Sequence, residues 1–581
     1  MATKAFETVE EAVEYLFSDE IEADMIALPP EVDELTDEEN IEDDMIGNSH
    51  VTDIAGTTEI LHTEDQKNLP HVTSKKIKKE DIRWCDQSPS FSFPDIGQRA
   101  SHLSEEMKQK LSGLSPVQVF EEIFSEDIVN LIVEETERYA REYRNKINFS
   151  VHPDEIRVFI GFLIFTGYHK LCSERDYWSE DEDLGIQMVK DSMSRNRYLE
   201  LKSVLHFNDN RKANENKHDK AFKIKPLAQA LVQNYQKWGI FQENLSVDEM
   251  IVRYYGHHPI KQFIRMKPIR FGYKFWALCG NDGYCYNFLL YCGKCQTDEE
   301  EFADLSLGSK VVLKMLSIVE DPKSYRVFFD NYFTSHDLLV LLKEQGYRAS
   351  GTIRENRTKK CPLPADNVMK KKERGYFEFK FDKKNEILIT KWNDNKCFSL
   401  ATNFDTVFPT VQVQRWSSSQ RAKISVAQPH AINTYKNFMG GVDLHDWLLE
   451  KHTIAVRGKK WYWCLFTRMI DMTVINAHLA FKRCNENNSL PVKEFRRHIA
   501  RAYLKKGLEI RSARGRPTNL SSSHTSNIAD IRYDQKLHII QKRDKQRRCQ
   551  FENCKGKPRT YCGKCNVTLC IDCFPKYHTI H

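Results

Sequence analysis

No apolar run in this sequence is long enough to cross a bilayer. The longest, Ile156 to Tyr168 (IRVFIGFLIFTGY), is interrupted by Arg157 and falls well short of the roughly 20 residues a membrane helix needs. A membrane protein is excluded on this ground, and a buried helix is expected there. Met1 to Glu20 lacks a basic start followed by an apolar core, so no secretory signal is expected. The expected compartment is therefore reducing. In it, the 16 cysteines among 581 residues read as core thiols or metal ligands rather than a disulfide framework. Repeats of solenoid type are also missing.

Positive charge is nearly absent from the first 65 residues, where Lys4 stands alone against 21 acids, a net charge of −20. The remaining 516 residues carry +24. A body this basic suits a polyanionic partner, because each neutralised phosphate releases counterions. Residues 1–100 are acidic, then rich in Ser, Pro, Asn and Thr without sustained apolar periodicity, and are expected to be disordered. Within them Lys75, Lys76, Lys78 and Lys79 form a compact cluster of the kind that directs nuclear import, so a nuclear location is expected.

From Leu114 the pattern becomes helical, and residues 101–244 read as a first helical segment. The period changes near Leu245. SVDEMIVRYYG and FGYKFWALCGNDGYCYNFLLYCG read as strands, the latter folded at Asn281, Asp282 and Gly283 by a hairpin turn. Alternating helices and strands follow, giving a mixed α/β region over 245–358. Residues 359–429 read as a β-rich insertion, 430–456 as the return of the α/β region, 457–511 as a second helical segment and 512–544 as a linker. One helix is expected over Ile432 to Lys451 and another over Lys460 to Arg483.

The cysteine-rich end, 545–581, carries the strongest local signal. Cys549, Cys554, Cys562, Cys565, Cys570, Cys573, His578 and His581 supply eight soft or borderline donors, enough for two closed tetrahedral Zn²⁺ sites. An interleaved arrangement puts Cys549, Cys554, Cys570 and Cys573 on one ion, and Cys562, Cys565, His578 and His581 on the other. Sequential pairing is the alternative. The related pentapeptide at Tyr291 to Cys295 (YCGKC) has no second ligand pair near it and reads as a turn.

A second signal is a set of acids at similar places in the α/β region: Asp248 in LSVDEM, Asp330 in VFFDNYFTS, and Asp443 and Asp446 in MGGVDLHDW. Asp248 lies in an expected strand and Asp330 ends one, while Asp443 and Asp446, three apart near a helix start, share a face. Carboxylates gathered this way repel unless they hold hard cations, which is the environment for two Mg²⁺ ions in phosphodiester chemistry.

These motifs, with KQFIRMKPIRFGYKFW, GTIREN, RGKKWY and the cysteine-rich end in this order, resemble the piggyBac family of DNA transposases from about Leu114 to His581. The resemblance implies an α/β fold: an RNase H-like catalytic domain interrupted by the insertion, flanked by helical DNA-binding segments and followed by a cross-brace zinc domain. It implies that Asp248, Asp330 and Asp443 hold the two Mg²⁺ ions, that Asp446 is an additional family acid, and that Trp461 lies near the DNA end. The implied chemistry is cleavage at a transposon end, hairpin formation and joining at TTAA. The implied partners are double-stranded DNA with inverted repeats and a second copy of the chain.

Expected DNA contacts are Lys261, Arg265, Lys267, Arg270 and Lys274, interleaved with aromatic residues, where the competing reading is a strand with core aromatics and solvated cations. Arg354, Lys459, Lys460 and Trp461 join them through the resembling motifs. Arg514 and Arg516 in RGRP look like an AT-hook core suited to a narrow A·T-rich minor groove, against the alternative of a flexible linker. A competing function is a domesticated regulatory DNA-binding protein that keeps the fold without mobilising DNA.

Overall fold

In the computed structural model the described residues are 4–6, 23–27, 58–62, 82–93, 108–239, 241–256, 258–263, 271–293, 305–418, 420–485, 490–513, 538–552 and 554–578. The chain forms two units, Met1–Ile510 and Arg511–His581.

Strands of the larger unit are β1 (Lys4–Phe6), β2 (Ala23–Ala27), β3 (Thr58–His62), β4 (Trp84–Cys85), β5 (Asn244–Arg253), β6 (Gln262–Phe263), β7 (Phe271–Gly280), β8 (Cys285–Leu290), β9 (Arg326–Phe329), β10 (Arg348–Thr352), β11 (Phe377–Asp382), β12 (Ile387–Asn393), β13 (Cys397–Thr402), β14 (Val411–Ser417) and β15 (Ala422–Gln428). Its helices are α1 (Pro116–Ile123), α2 (Glu126–Tyr143), α3 (Pro153–Thr166), α4 (Gln187–Ser192), α5 (Arg195–Val204), α6 (Lys225–Trp238), α7 (Leu307–Leu316), α8 (His336–Glu344), α9 (Asp366–Met369), α10 (His430–Phe438), α11 (Gly441–Glu450), α12 (Trp463–Cys484) and α13 (Val492–Ala513).

Local chemistry sets many of these boundaries. Ser115 caps α1 through a reciprocal box with Gln118, and Pro116 takes the first helical position, where its missing N–H costs nothing. Val119, Phe120 and Ile123 then fall on the buried side. Helix α3 is buried over most of its length, and its interrupting Arg157 is held by Asp154 and Glu126. Helix α12, buried continuously from Leu465 to Phe481, is the central rod against which α1, α3 and α6 pack. Arg496 of α13 is tied to it by a fully buried ion pair with Asp471, 2.6 Å apart.

The sheet runs β1–β3–β2–β6–β7–β5–β9–β10–β13–β12–β11–β4, with β8 also on β7. Strand β5 is antiparallel to β7 and parallel to β9, and β10 is parallel to β9. The expected turn joins β7 to β8: Gly280 N–H donates to Tyr284 O at 2.9 Å and Gly283 adopts φ +88°, a left-handed conformation that glycine tolerates.

Three expectations differ from the structure. The segment 359–429 does not stand wholly apart, because β13 pairs with β10 and carries β12, buried along its whole length, and β11 with it, so these strands extend the existing sheet. Only β14 and β15 form a separate ribbon. The single helix expected over Ile432 to Lys451 is two, α10 and α11, divided at Met439 and Gly440. Within the acidic segment expected to be disordered, β1, β2 and β3 are strands, and β2 reaches β6 at Met25 and Phe263. Lys75, Lys76, Lys78 and Lys79 lie outside the described residues. No described helix is long and apolar enough to cross a membrane.

Candidate active site and metal groups

The parallel register of β5 and β9 ends with Val247 opposite Phe329, so Asp248 and Asp330 are the next residues on two neighbouring strands. One oxygen of each carboxylate accepts a local backbone N–H: Asp248 Oδ1 from Glu249 at 2.8 Å, and Asp330 Oδ1 from Tyr332 at 2.9 Å. The loop after Asp330 is braced from beyond β10. Arg354 Nε donates to Asn331 Oδ1 at 3.2 Å, and Arg357 donates to the carbonyls of Asn331 and Tyr332 at 3.1 and 2.6 Å.

Asp443 arrives on the first turn of α11. A Cβ at Gly441 would clash with Gly280 O and stand 2.6 Å from Ser246 Oγ, so glycine permits the helix to press onto β5 and β7. Ser246 and Asp248 are two apart on one strand and share a face, so the start of α11 lies on the face that Asp248 presents. At the other end of the helix Glu450 approaches Arg253 of β5 at 3.7 Å, fixing α11 along the strand.

Tyr435 of α10 is buried and lies within the fields of all three carboxylates. Burial raises its phenol pKa first of all; a hydrogen bond with Thr352 opposes this, and the negative fields of Asp330, Asp248 and Asp443 add to the rise. Nothing in the sequence spacing of Tyr435 separates it from a core tyrosine. Among the described residues, the three aspartates do not form a group with all ligand atoms within 4.8 Å of one another. Three like charges resist closer approach unless a cation lies between them. Their hard oxygen donors, from elements packed side by side, suit Mg²⁺. Asp446 is engaged differently, in an ion pair with Arg468 of α12, whose guanidinium also lies 3.5 Å from Glu450.

Several expected DNA contacts stand inside the fold. Lys261 is buried and donates to Gly256 O at 2.8 Å, and Lys460 is buried and donates to Leu205 O at 2.8 Å. Lys274 lies 3.9 Å from the centroid of the Trp276 ring and 3.7 Å from Glu249. Trp461, 6% exposed, stacks on His258 with ring centroids 4.0 Å apart. The ammonium groups of Lys261, Lys274 and Lys460 are bound inside the fold rather than presented as surface phosphate contacts, which corrects the surface reading of these three. Lys459 is exposed and Arg354 half-buried. Arg265, Lys267, Arg270, Arg514 and Arg516 lie outside the described residues.

The smaller unit has strands β16 (Ile540–Lys542) and β17 (Thr560–Cys562), antiparallel to each other, and helix α14 (Cys573–His578). It holds two four-residue groups whose ligand atoms lie within 4.8 Å of one another: Cys549, Cys554, Cys570 and Cys573, and His538, Cys562, Cys565 and His578. The sequence positions interleave. Four thiols, or two thiols and two imidazoles, at this spacing fit tetrahedral Zn²⁺. His538 occupies the fourth place in the second group, where the sequence analysis named His581, which lies outside the described residues. The signal for His538 in the sequence is its place eleven residues upstream of the first cysteine of the run.

The family described as Transposase IS4 matches residues 115–478. PiggyBac transposable element-derived protein 3 of Homo sapiens is 34% identical over 467 residues, covering 80% of this chain and 76% of that protein. The chain belongs to the piggyBac transposase family. PiggyBac transposable element-derived protein 2 of Homo sapiens is 30% identical over 556 residues, covering 94% of this chain and 91% of its own length. A piggyBac transposase solved by cryo-electron microscopy as a synaptic complex with hairpin DNA shares the fold at a TM-score of 0.60 and 20% identity, across 80% of this chain and 98% of that one.

Proposed function

We propose that this chain is a metal-dependent DNA transposase that cleaves DNA ends, forms hairpins and joins the freed ends to TTAA targets in the nucleus, acting as a homodimer on paired inverted repeats. What supports the reading is the register that sets Asp248 and Asp330 at neighbouring positions of β5 and β9, with Asp443 on a glycine-seated helix packed on β5. The antiparallel trio β8, β7 and β5 beside the parallel pair β9 and β10 supports an RNase H-like catalytic core.

Asp248, Asp330 and Asp443 would hold two Mg²⁺ ions. Bound there, the ions supply charge neutralisation for the phosphodiester and activation of the attacking oxygen. The chain's own contribution is placement: β5 and β9 set two carboxylates side by side, the arginine-braced loop after β9 fixes one of them, and α11 brings the third. Tyr435, kept neutral by burial and by the surrounding acids, contributes a hydroxyl and no further charge. The two groups in the smaller unit would hold two Zn²⁺ ions as a DNA-end-binding module.

Purified protein with Mg²⁺ and DNA bearing its cognate ends is expected to give nicks and hairpins. Asp330→Ala is expected to bind that DNA without cutting it, and equal cutting by both would refute the assignment. A second reading, a DNA-binding protein that no longer mobilises anything, is favoured by the names of both human relatives, which are described as derived from transposable elements. It expects binding without cutting from the wild type as well.

A further inference from the structure

Helix α11 carries a side chain that the proposed chemistry has not used. Trp447 is 56% exposed, although tryptophan is among the residues that gain most from burial. It stands four positions after Asp443, which is also exposed, so the two share one face of the helix, about 6 Å apart along its axis. The ammonium of Lys451 sits 3.3 Å from the centroid of the Trp447 ring. The helix is rigidly seated. Gly441 abuts β5 and β7 at its start, and Arg468 from α12 holds both Asp446 and Glu450 along its length.

An exposed indole on a fixed helix, beside a cation and one helical turn from a carboxylate placed at the reacting phosphate, has the makings of a stacking platform. Every base has a π-face, so an indole can take an unpaired base without regard to sequence, while a neighbouring ammonium meets the phosphate. A paired base offers no such face.

We propose that Trp447 stacks on an unpaired DNA base next to the phosphate held at Asp248, Asp330 and Asp443, with Lys451 alongside for the adjoining phosphate, so that α11 positions the strand being cut or opened. The inference rests on the transposase reading. It adds to that reading a substrate-positioning side chain that discriminates unpaired from paired DNA.

The test uses the full chain and two probes: a DNA hairpin with 2-aminopurine in its unpaired loop, and a fully paired duplex with 2-aminopurine in the stem. Wild-type protein is expected to quench the loop fluorophore on binding. Trp447→Ala is expected to lose that quenching and to bind the hairpin roughly tenfold more weakly. Trp447→Phe retains most of both, and duplex affinity is equal for all three proteins. Unchanged quenching and affinity in Trp447→Ala would overturn the proposal, as would equal weakening on hairpin and duplex, which would mark a general docking role. Because these arms read binding, they remain decisive if wild type binds DNA but does not cut it, the outcome that removes the transposase reading instead. Failure of wild type to bind either probe would sink both.

Discussion

Replacing His538 with alanine tests the arrangement of the smaller unit most sharply, because sequence and structure disagree on the fourth ligand of one group. Apart from cysteines, the fully buried apolar side chains of that unit's core among the described residues are Val567 and Leu569, and burying each contributes about 1.5–3 kcal/mol. A structural zinc contributes roughly 10–16 kcal/mol at neutral pH. Metal binding therefore outweighs packing several-fold, and loss of a ligand should register as loss of an ion. Zinc per chain, measured by inductively coupled plasma mass spectrometry after gel filtration, is expected to be two for wild type, close to one for His538→Ala and two for His581→Ala. Native mass spectrometry of the same samples would show whether each molecule lost an ion or a fraction lost both. One zinc in His581→Ala with two in His538→Ala would refute the ligand set read from the structure.

Two further outcomes follow from buried charge. Arg496→Met leaves the buried Asp471 carboxylate without its partner and should lower the unfolding free energy of the larger unit by about 3–5 kcal/mol in urea titration, with the double variant Arg496→Met/Asp471→Leu recovering most of it. A loss below about 1 kcal/mol would show the pair to be dispensable. The second concerns acid. Burial, with the nearby Lys220 and Lys223 adding to it, holds the His258 imidazole down to about 3, and its buried Nδ1 has no hydrogen-bond partner among the described residues. The folded value lies below the unfolded one, so its contribution is complete above about pH 6.5 and is lost as pH falls toward 3. His258→Phe keeps an aromatic ring on Trp461 and should flatten the decline in stability between pH 6 and 4 by about 1.4 kcal/mol per pH unit. A slope unchanged from wild type would show that His258 does not drive the acid response.

What the sequence disclosed was mostly local. The Ser115–Pro116 start of α1, the Asn281 to Gly283 turn, the strand through Asp248 and the strand end at Asp330 are short-range signals, in which a few residues set the backbone by their own chemistry. The family motifs named the acids in advance of any geometry. Less legible was whatever depends on distant packing. Periodicity gives the same lysine and aromatic alternation to a DNA-facing strand and to one whose ammonium groups bind carbonyls inside the fold, as Lys261 and Lys460 do. The pairing of β10 with β13 joins segments some fifty residues apart and carries no local mark, so the 359–429 segment looked separate. The break at Gly440 was visible as a glycine pair but read as helix interior. His538 and Tyr435 escaped because each acquires its role only from residues that the fold brings beside it.

The central claim is that Asp248, Asp330 and Asp443 work as one cation-binding pocket. Anomalous scattering from crystals of the protein with hairpin DNA and Mn²⁺ tests it directly. The account expects two peaks within coordination distance of these three carboxylates, at least one of them shared between Asp248 and Asp330, and expects both to vanish in Asp330→Ala. Manganese bound elsewhere, or by one aspartate at a time with the others turned away, would contradict it.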